Sequence, residues 1–220
     1  MKTDKVLLIV ILLCCVYVIG CQQGQQMVET VVSAPEAEEI PTSVDVIADA
    51  NLAAAVRETL GLRADALLTA EVLRDLNTLE ASERQIADLT GLEYATNLTE
   101  LYLFDNELPD ISALAGLTNP VQLYLPGNEL SDISALVGLR RLVHLNLNHS
   151  ELSDVSALAG LTNLTSLYLT GNKLSDIAPL VANTGLDSGD EVALGNNPLN
   201  EATINTHIPA LEARGVTVIR

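Results

Sequence analysis

Tryptophan is absent from the 220 residues, phenylalanine occurs once, and cysteine stops early. All three cysteines, Cys14, Cys15 and Cys21, fall within the first 21 positions. The rest of the chain therefore has neither a disulfide framework nor a thiolate metal site, and packing and hydrogen bonds must hold it. Aromatic residues are only 3% of the total and leucine dominates the apolar content, which suits a repeated core better than an irregular one. Basic residues are scarce as well: 11 Lys and Arg stand against 29 Asp and Glu, a formal charge of −18. That field repels a phosphate backbone, so nucleic acid is not an expected partner. Anionic membrane surfaces are disfavoured on the same ground. The length is enough for one domain with a sizeable buried core.

The start of the chain reads as an address. Lys2 and Lys5 precede an uninterrupted apolar run of fourteen residues, Val6–Ile19. This is short of the ~20 residues that span a bilayer and fits the core of a signal peptide. Val18-Ile19-Gly20-Cys21 follows, and it resembles the lipobox of bacterial lipoproteins. The resemblance implies cleavage before Cys21 and lipidation of its sulfur, which would hold the protein outside the cytoplasm on a cell membrane or outer membrane. An ordinary secretory signal or an uncleaved anchor is the plainer alternative. Residues 22–45 are rich in Gln and Glu, contain two prolines and show no sustained period, so they are expected to form a flexible tether. As a coil, such a tether reaches roughly 25–30 Å.

Beyond the tether the chain repeats itself. "LYLFDNELPDISAL", "LYLPGNELSDISAL" and "LYLTGNKLSDIAPL" are variants of one phrase on a 22-residue period, with copies starting at Leu76, Leu98, Pro120, Leu142 and Leu164. Position 4 is Leu79, Leu101, Leu123, Leu145 and Leu167, and position 17 is leucine in every copy. Within each copy L-x-L alternates with period 2, the signature of a short strand whose leucines point one way. Stacked in parallel, the apolar residues at positions 1, 4, 6, 11, 14 and 17 would fill one continuous core that no single copy could bury alone.

This is the L-x-x-L-x-L-x-x-N pattern of leucine-rich repeats. Its length and the phrase "LSDISALAGLTNL" resemble the bacterial internalin-like class over roughly residues 76–199. The resemblance implies an α/β fold: a right-handed solenoid with a parallel sheet on its concave face and short turns or 3-10 segments on its convex face. It departs from that class in having no C-terminal wall-sorting motif and no room for an added immunoglobulin-like domain. The ends need caps, because an open solenoid exposes a sheet edge and core. Leu52, Val56 and Leu60 at helical spacing, between Asn51 as cap and Gly61 as stop, predict a helix, and Thr69 is placed to cap a second one. "GDEVALGNNPL" reads as a sixth copy shifted by three residues, with Val192, Leu194, Asn197 and Leu199 as its core set. Ile204, Ile208 and Leu211 then mark a C-terminal helix, and Val216–Ile219 a closing strand. The expected organisation is a signal peptide at 1–20, a tether at 21–45, a helical cap at 46–75, repeats at 76–199 and a helix–strand cap at 200–220.

Most letters of the phrase have structural duties. Asn106, Asn128, Asn172 and Asn197 at position 9 can satisfy backbone groups of adjacent turns, a column that Arg84 and Ser150 interrupt. Asp88, Asp110, Asp132, Asp154 and Asp176 at position 13 either cap the following turn or form a carboxylate ladder for cations. Capping is the expectation, because single carboxylates in a line do not converge on one point. The NLT triplets at Asn97 and Asn163 match a glycosylation acceptor, and both fall in the turn before a strand.

The outward strand positions 3, 5 and 7 are where the copies stop agreeing, and function on a repeat scaffold lives in such positions. They hold Glu100, Tyr102 and Phe104, then Gln122 and Tyr124, then His144 and Asn146, then Ser166 and Tyr168. Aromatic anchors ringed by polar groups are the composition of a binding surface. The expected occupant is a protein or peptide, basic in view of Glu100, Asp105, Glu107 and Glu129. No catalytic centre is expected: His144 beside Ser166 has no glycine elbow, oxyanion donors or enclosing pocket. His144 and His149 lack a third metal ligand, and no metal or cofactor is called for. The expectation is a monomeric, lipid-anchored binding module. A structural or adhesive envelope protein without one specific ligand is the alternative.

Overall fold

A computed structural model describes residues 44–220. The expected lipidation site at Cys21, the signal peptide and nearly all of the tether lie outside the described residues.

Strand formation follows the 22-residue period. β1 (Thr78–Glu80), β2 (Glu100–Tyr102), β3 (Gln122–Tyr124), β4 (His144–Asn146) and β5 (Ser166–Tyr168) each occupy positions 3 to 5 of a copy. β6 (Glu191–Ala193) follows after the three-residue shift, and β7 (Thr217–Ile219) closes the row. All seven pair in parallel and in sequence order, with Leu101 beside Leu123, Leu145 and Leu167, and Val192 at the next step. The chain returns between strands through 3-10 turns at Leu92–Tyr94, Ser112–Leu114, Ser134–Gly138 and Ser156–Leu158, and through the short helix α3 (Ala178–Ala182). The result is the expected solenoid of sheet on one face and turns on the other.

The core is the leucine columns stacked end to end. Leu123, Leu125, Leu130, Leu136 and Leu139 are all buried, as are their counterparts in the flanking copies. Each fully buried leucine side chain contributes about 1.5–3 kcal/mol, and few residues other than leucine and isoleucine line this interior.

At the N-terminal end α1 (Ala50–Thr59) covers β1, burying Leu52 and Val56 as expected. Its cap is Asp49 rather than Asn51: the Asp49 carboxylate accepts from the Asn51 and Leu52 amides, both at 2.9 Å. The same carboxylate accepts from Ala87 N of the first repeat at 3.0 Å, which ties the cap to the array. Burial works against its charge, but these backbone donors outweigh it and hold the carboxyl below the ordinary aspartate value. Thr69 caps α2 (Ala70–Leu73) through Val72 N, as expected. Gly61 has φ +64° where the chain leaves α1.

The C-terminal cap differs in one respect. Thr203, not Ile204, faces the interior, while Ile204 is 43% exposed. Residues Thr203–His207 form a π-helical turn, so the inward positions are Thr203 and Ile208, five apart, instead of a three- or four-residue step. The buried Thr203 hydroxyl donates to Ser175 O at 2.9 Å and accepts from Ile177 N at 3.3 Å. A polar threonine on the apolar side of the pattern is what hid this turn. α4 (Ile208–Glu212) follows, burying Ile208 and Leu211.

Asparagine columns carry the backbone. Asn128 donates to Leu103 O at 2.9 Å and to Leu125 O at 3.0 Å, and accepts from Leu108 N at 3.2 Å. Asn106, Asn172 and Asn197 repeat this pattern. A second column, which the sequence shows at two of its members as the NLT triplets, runs along the preceding turn. Asn97, Asn119 and Asn163 each donate to a carbonyl 23 residues back, at Arg74, Thr96 and Arg140.

Ser150 breaks the first column. Its buried hydroxyl has no partner among the described residues, and its side chain is too short to take the Leu130 amide as Asn128 takes that of Leu108. Ser150→Asn is expected to raise stability by about 1 kcal/mol, the value of one internal hydrogen bond. Thermal or urea melting checks this, and a loss of stability would show that the space at Ser150 does not admit the amide.

Candidate functional site

On the convex side every position-13 aspartate serves its own turn. Asp88, Asp110, Asp132, Asp154 and Asp176 each accept from the amide two residues on, at 2.8–2.9 Å. Three of them also take the hydroxyl of the following serine. The Ser112 hydroxyl and amide together hold the Asp110 carboxyl below its ordinary value. The carboxylates are engaged locally, as the capping reading expects, and among the described residues no group of three or more His, Cys, Asp or Glu is arranged to hold a metal ion.

The concave side is different. Strand alternation buries Leu101, Leu123, Leu145 and Leu167 and turns their neighbours outward, so β2 to β5 all show a half-buried, buried, half-buried pattern. Parallel register then lines the outward residues into rows. Glu100, Gln122, His144 and Ser166 form one row, and Tyr102, Tyr124, Asn146 and Tyr168 the next. Phe104 stands half-buried two residues past the end of β2. All nine candidate residues therefore share one face.

Within it, Tyr102 and Tyr124 stack with ring centroids 5.0 Å apart and planes 15° from parallel. The Tyr102 hydroxyl lies 3.2 Å from Glu100 Oε2 and 3.3 Å from Gln122 Oε1, and Gln122 Nε2 donates to Glu100 Oε1 at 3.5 Å. Partial burial and the Glu100 carboxylate raise the Tyr102 phenol above its ordinary value, so it is a neutral donor near pH 7. His144 and Ser166 sit on neighbouring strands of this open sheet.

Two members of the face are additional. Glu191 occupies the β6 place beside Ser166, and its carboxylate, together with burial, raises the Tyr168 phenol too. Glu80 occupies the β1 place beside Tyr102. The shifted sixth copy contains the signal for Glu191, since its core letters Val192 and Leu194 fix which neighbours face outward.

The rim has its own regularity. Position 8 is left-handed in every copy: Glu83, Asp105, Gly127, His149, Gly171 and Asn196 have φ from +51° to +73°. Glycine suits this turn, and the side chains that replace it lie over their glycine neighbours. A methyl at Gly127 would overlap the Asp105 carboxylate, and one at Gly171 would meet the His149 ring.

The stacked register, the leucine columns and the asparagine ladders define a leucine-rich-repeat solenoid. Residues 96–138 and 140–182 match the family model for leucine-rich repeats in two copies. Among solved structures, an internalin (inlF) from Listeria monocytogenes is similar at 28% identity and a TM-score of 0.65. That match covers 79% of this chain and 56% of the internalin, so the chain spans little more than half of that relative. The functional domain of InlJ from Listeria monocytogenes matches at 24% identity and a TM-score of 0.56, over 71% of this chain and 39% of that one. A leucine-rich-repeat protein of Leptospira interrogans matches at 19% and 0.61, over 70% and 40%. The last two speak for the fold alone. No curated protein matches at a significant level.

Proposed function

We propose that the protein is a binding module, not an enzyme, that holds a protein or peptide ligand against its concave sheet and is carried outside the cytoplasm on a lipid at Cys21. The observation that carries the first part is the continuous aromatic and polar face centred on the stacked Tyr102–Tyr124 pair. Its residues take no part in the core or in the asparagine columns, so the scaffold does not need them. Exposed aromatic anchors in a polar surround are what protein interfaces concentrate. The likeness to an internalin agrees with this reading. The lipid anchor rests on Val18-Ile19-Gly20-Cys21 alone.

Crosslinking and pull-down from intact cells tests the face. Tyr102→Ala combined with Tyr124→Ala is expected to reduce capture of a specific ligand at least tenfold. The loss of stability should stay near 1–2 kcal/mol, since the pair is a surface stack. Capture that ignores both tyrosines would point instead to a structural or adhesive envelope protein. In the same cells, metabolic palmitate should label the wild type and not Cys21→Ser, and equal labelling of both would sink the anchor.

A further inference from the structure

The tyrosine row is closed on one side and open on the other. Tyr102 and Tyr124 on adjacent strands stack directly, with 5.0 Å between centroids. The next strand puts Asn146 in the row, and Tyr168 follows one strand later. Parallel strands lie about 4.8 Å apart, so Tyr124 and Tyr168 stand about 10 Å apart across Asn146. A planar group needs about 3.5–4.0 Å on each side, or 7–8 Å in all. The slot thus admits one flat group once each ring leans inward by roughly 1 Å.

The charge of the face selects what enters. No lysine or arginine stands at the outward positions of β1–β7, whereas Glu80, Glu100 and Glu191 do. Glu191 stands on β6, one strand beyond Tyr168, and Glu100 on β2, one strand beyond Tyr124, so the two carboxylates flank the slot behind its tyrosines. Asn146 does not compete for the space, because its side-chain oxygen accepts from Asn148 N at 3.0 Å. His144 lies beside it on β4.

Resting on the reading of the concave sheet as the binding face, we propose that the slot over Asn146, between Tyr124 and Tyr168, seats an arginine side chain of an extended, basic peptide ligand. A guanidinium is flat and stacks on aromatic faces, and the carboxylates behind the two rings favour its charge. Lysine satisfies the charge and not the shape, so it ranks second. The partner is therefore a basic segment of another protein.

A test uses fluorescein-labelled nonapeptides of Gly and Ser carrying three arginines, against counterparts with citrulline, which keeps the shape and removes the charge. Fluorescence polarisation with the wild-type protein should show the arginine peptide binding at least tenfold more tightly. Asn146→Tyr fills the slot without changing charge and should weaken the arginine peptide at least tenfold, with a melting temperature equal to or above the wild type. Glu191→Gln should weaken it severalfold. Equal affinity for the two peptides overturns the proposal, as does no binding of either. Arginine-peptide binding that Asn146→Tyr leaves unchanged overturns it too, since it would reflect the acidity of the whole protein. A cellular ligand whose capture needs Tyr102 and Tyr124 but not an open slot leaves the binding face standing and removes only the arginine seat.

Discussion

Asn128→Ala is expected to cost about 3–5 kcal/mol, more than most single substitutions on a surface-bounded repeat. The amide sits 3% exposed between two turns and makes three close backbone bonds: to Leu103 O, to Leu125 O and from Leu108 N. Removing it leaves Leu125 O and Leu108 N buried and unpaired, at about 1–3 kcal/mol for each group that water cannot reach, while Leu103 O keeps the Asn106 amide at 3.1 Å. It also opens a void between two leucine layers. Asn128→Asp is the sharper comparison, because it keeps the acceptor for Leu108 and replaces the donor with a charge facing two carbonyls. Both variants should lower the midpoint of urea unfolding well below that of the wild type. An alanine variant within about 1 kcal/mol of the wild type would show that the column is dispensable.

Gly91→Ala should act as strongly through backbone alone. Gly91 precedes the first 3-10 turn at φ +98°, outside the range that side chains tolerate. A methyl there would overlap the Val46 carbonyl oxygen and lie 2.7 Å from its carbon, in a segment that Val46 N anchors to Leu68 O at 2.9 Å. Neither partner is a flexible side chain, so the cap segment must move. The expected cost is about 3–5 kcal/mol, with amides of the 46–60 region losing hydrogen-exchange protection before those of β3 to β5. Uniform loss of protection across the array would mean that the cap and the repeats unfold as one unit.

Much of this was legible in the letters, and the reason is periodicity. Leucines recurring at fixed positions in five copies leave one consistent way to stack, so the parallel sheet and its register follow from the pattern. The outward rows follow too, because a strand has only two faces. What escaped has a common cause: conformation that the residue type does not announce. Asp49 and Asn51 are equally good caps by chemistry, and only the approach of Ala87 N shows why Asp49 serves. Thr203 faces inward because a π turn resets the helical period. The left-handed bend at position 8 is visible at Gly127 and Gly171 but not at Glu83 or His149, which adopt it under the constraint of their neighbours. On the candidate face, Glu100 to Tyr168 could be placed from spacing, whereas the stacking of Tyr102 on Tyr124 shows only in the three-dimensional arrangement.

The asparagine columns have one further consequence. Outside its own turn each amide reaches back 20 to 28 residues to its donors and acceptors, about the length of a single coil, and no farther. Excising one 22-residue copy, or inserting another, would therefore bring equivalent partners together at the new junction. The concave sheet can then widen or narrow in steps of about 4.8 Å, one strand spacing, while both caps and every existing coil stay as they are. A lineage built this way can change the length of its concave sheet before it changes a single side chain on it.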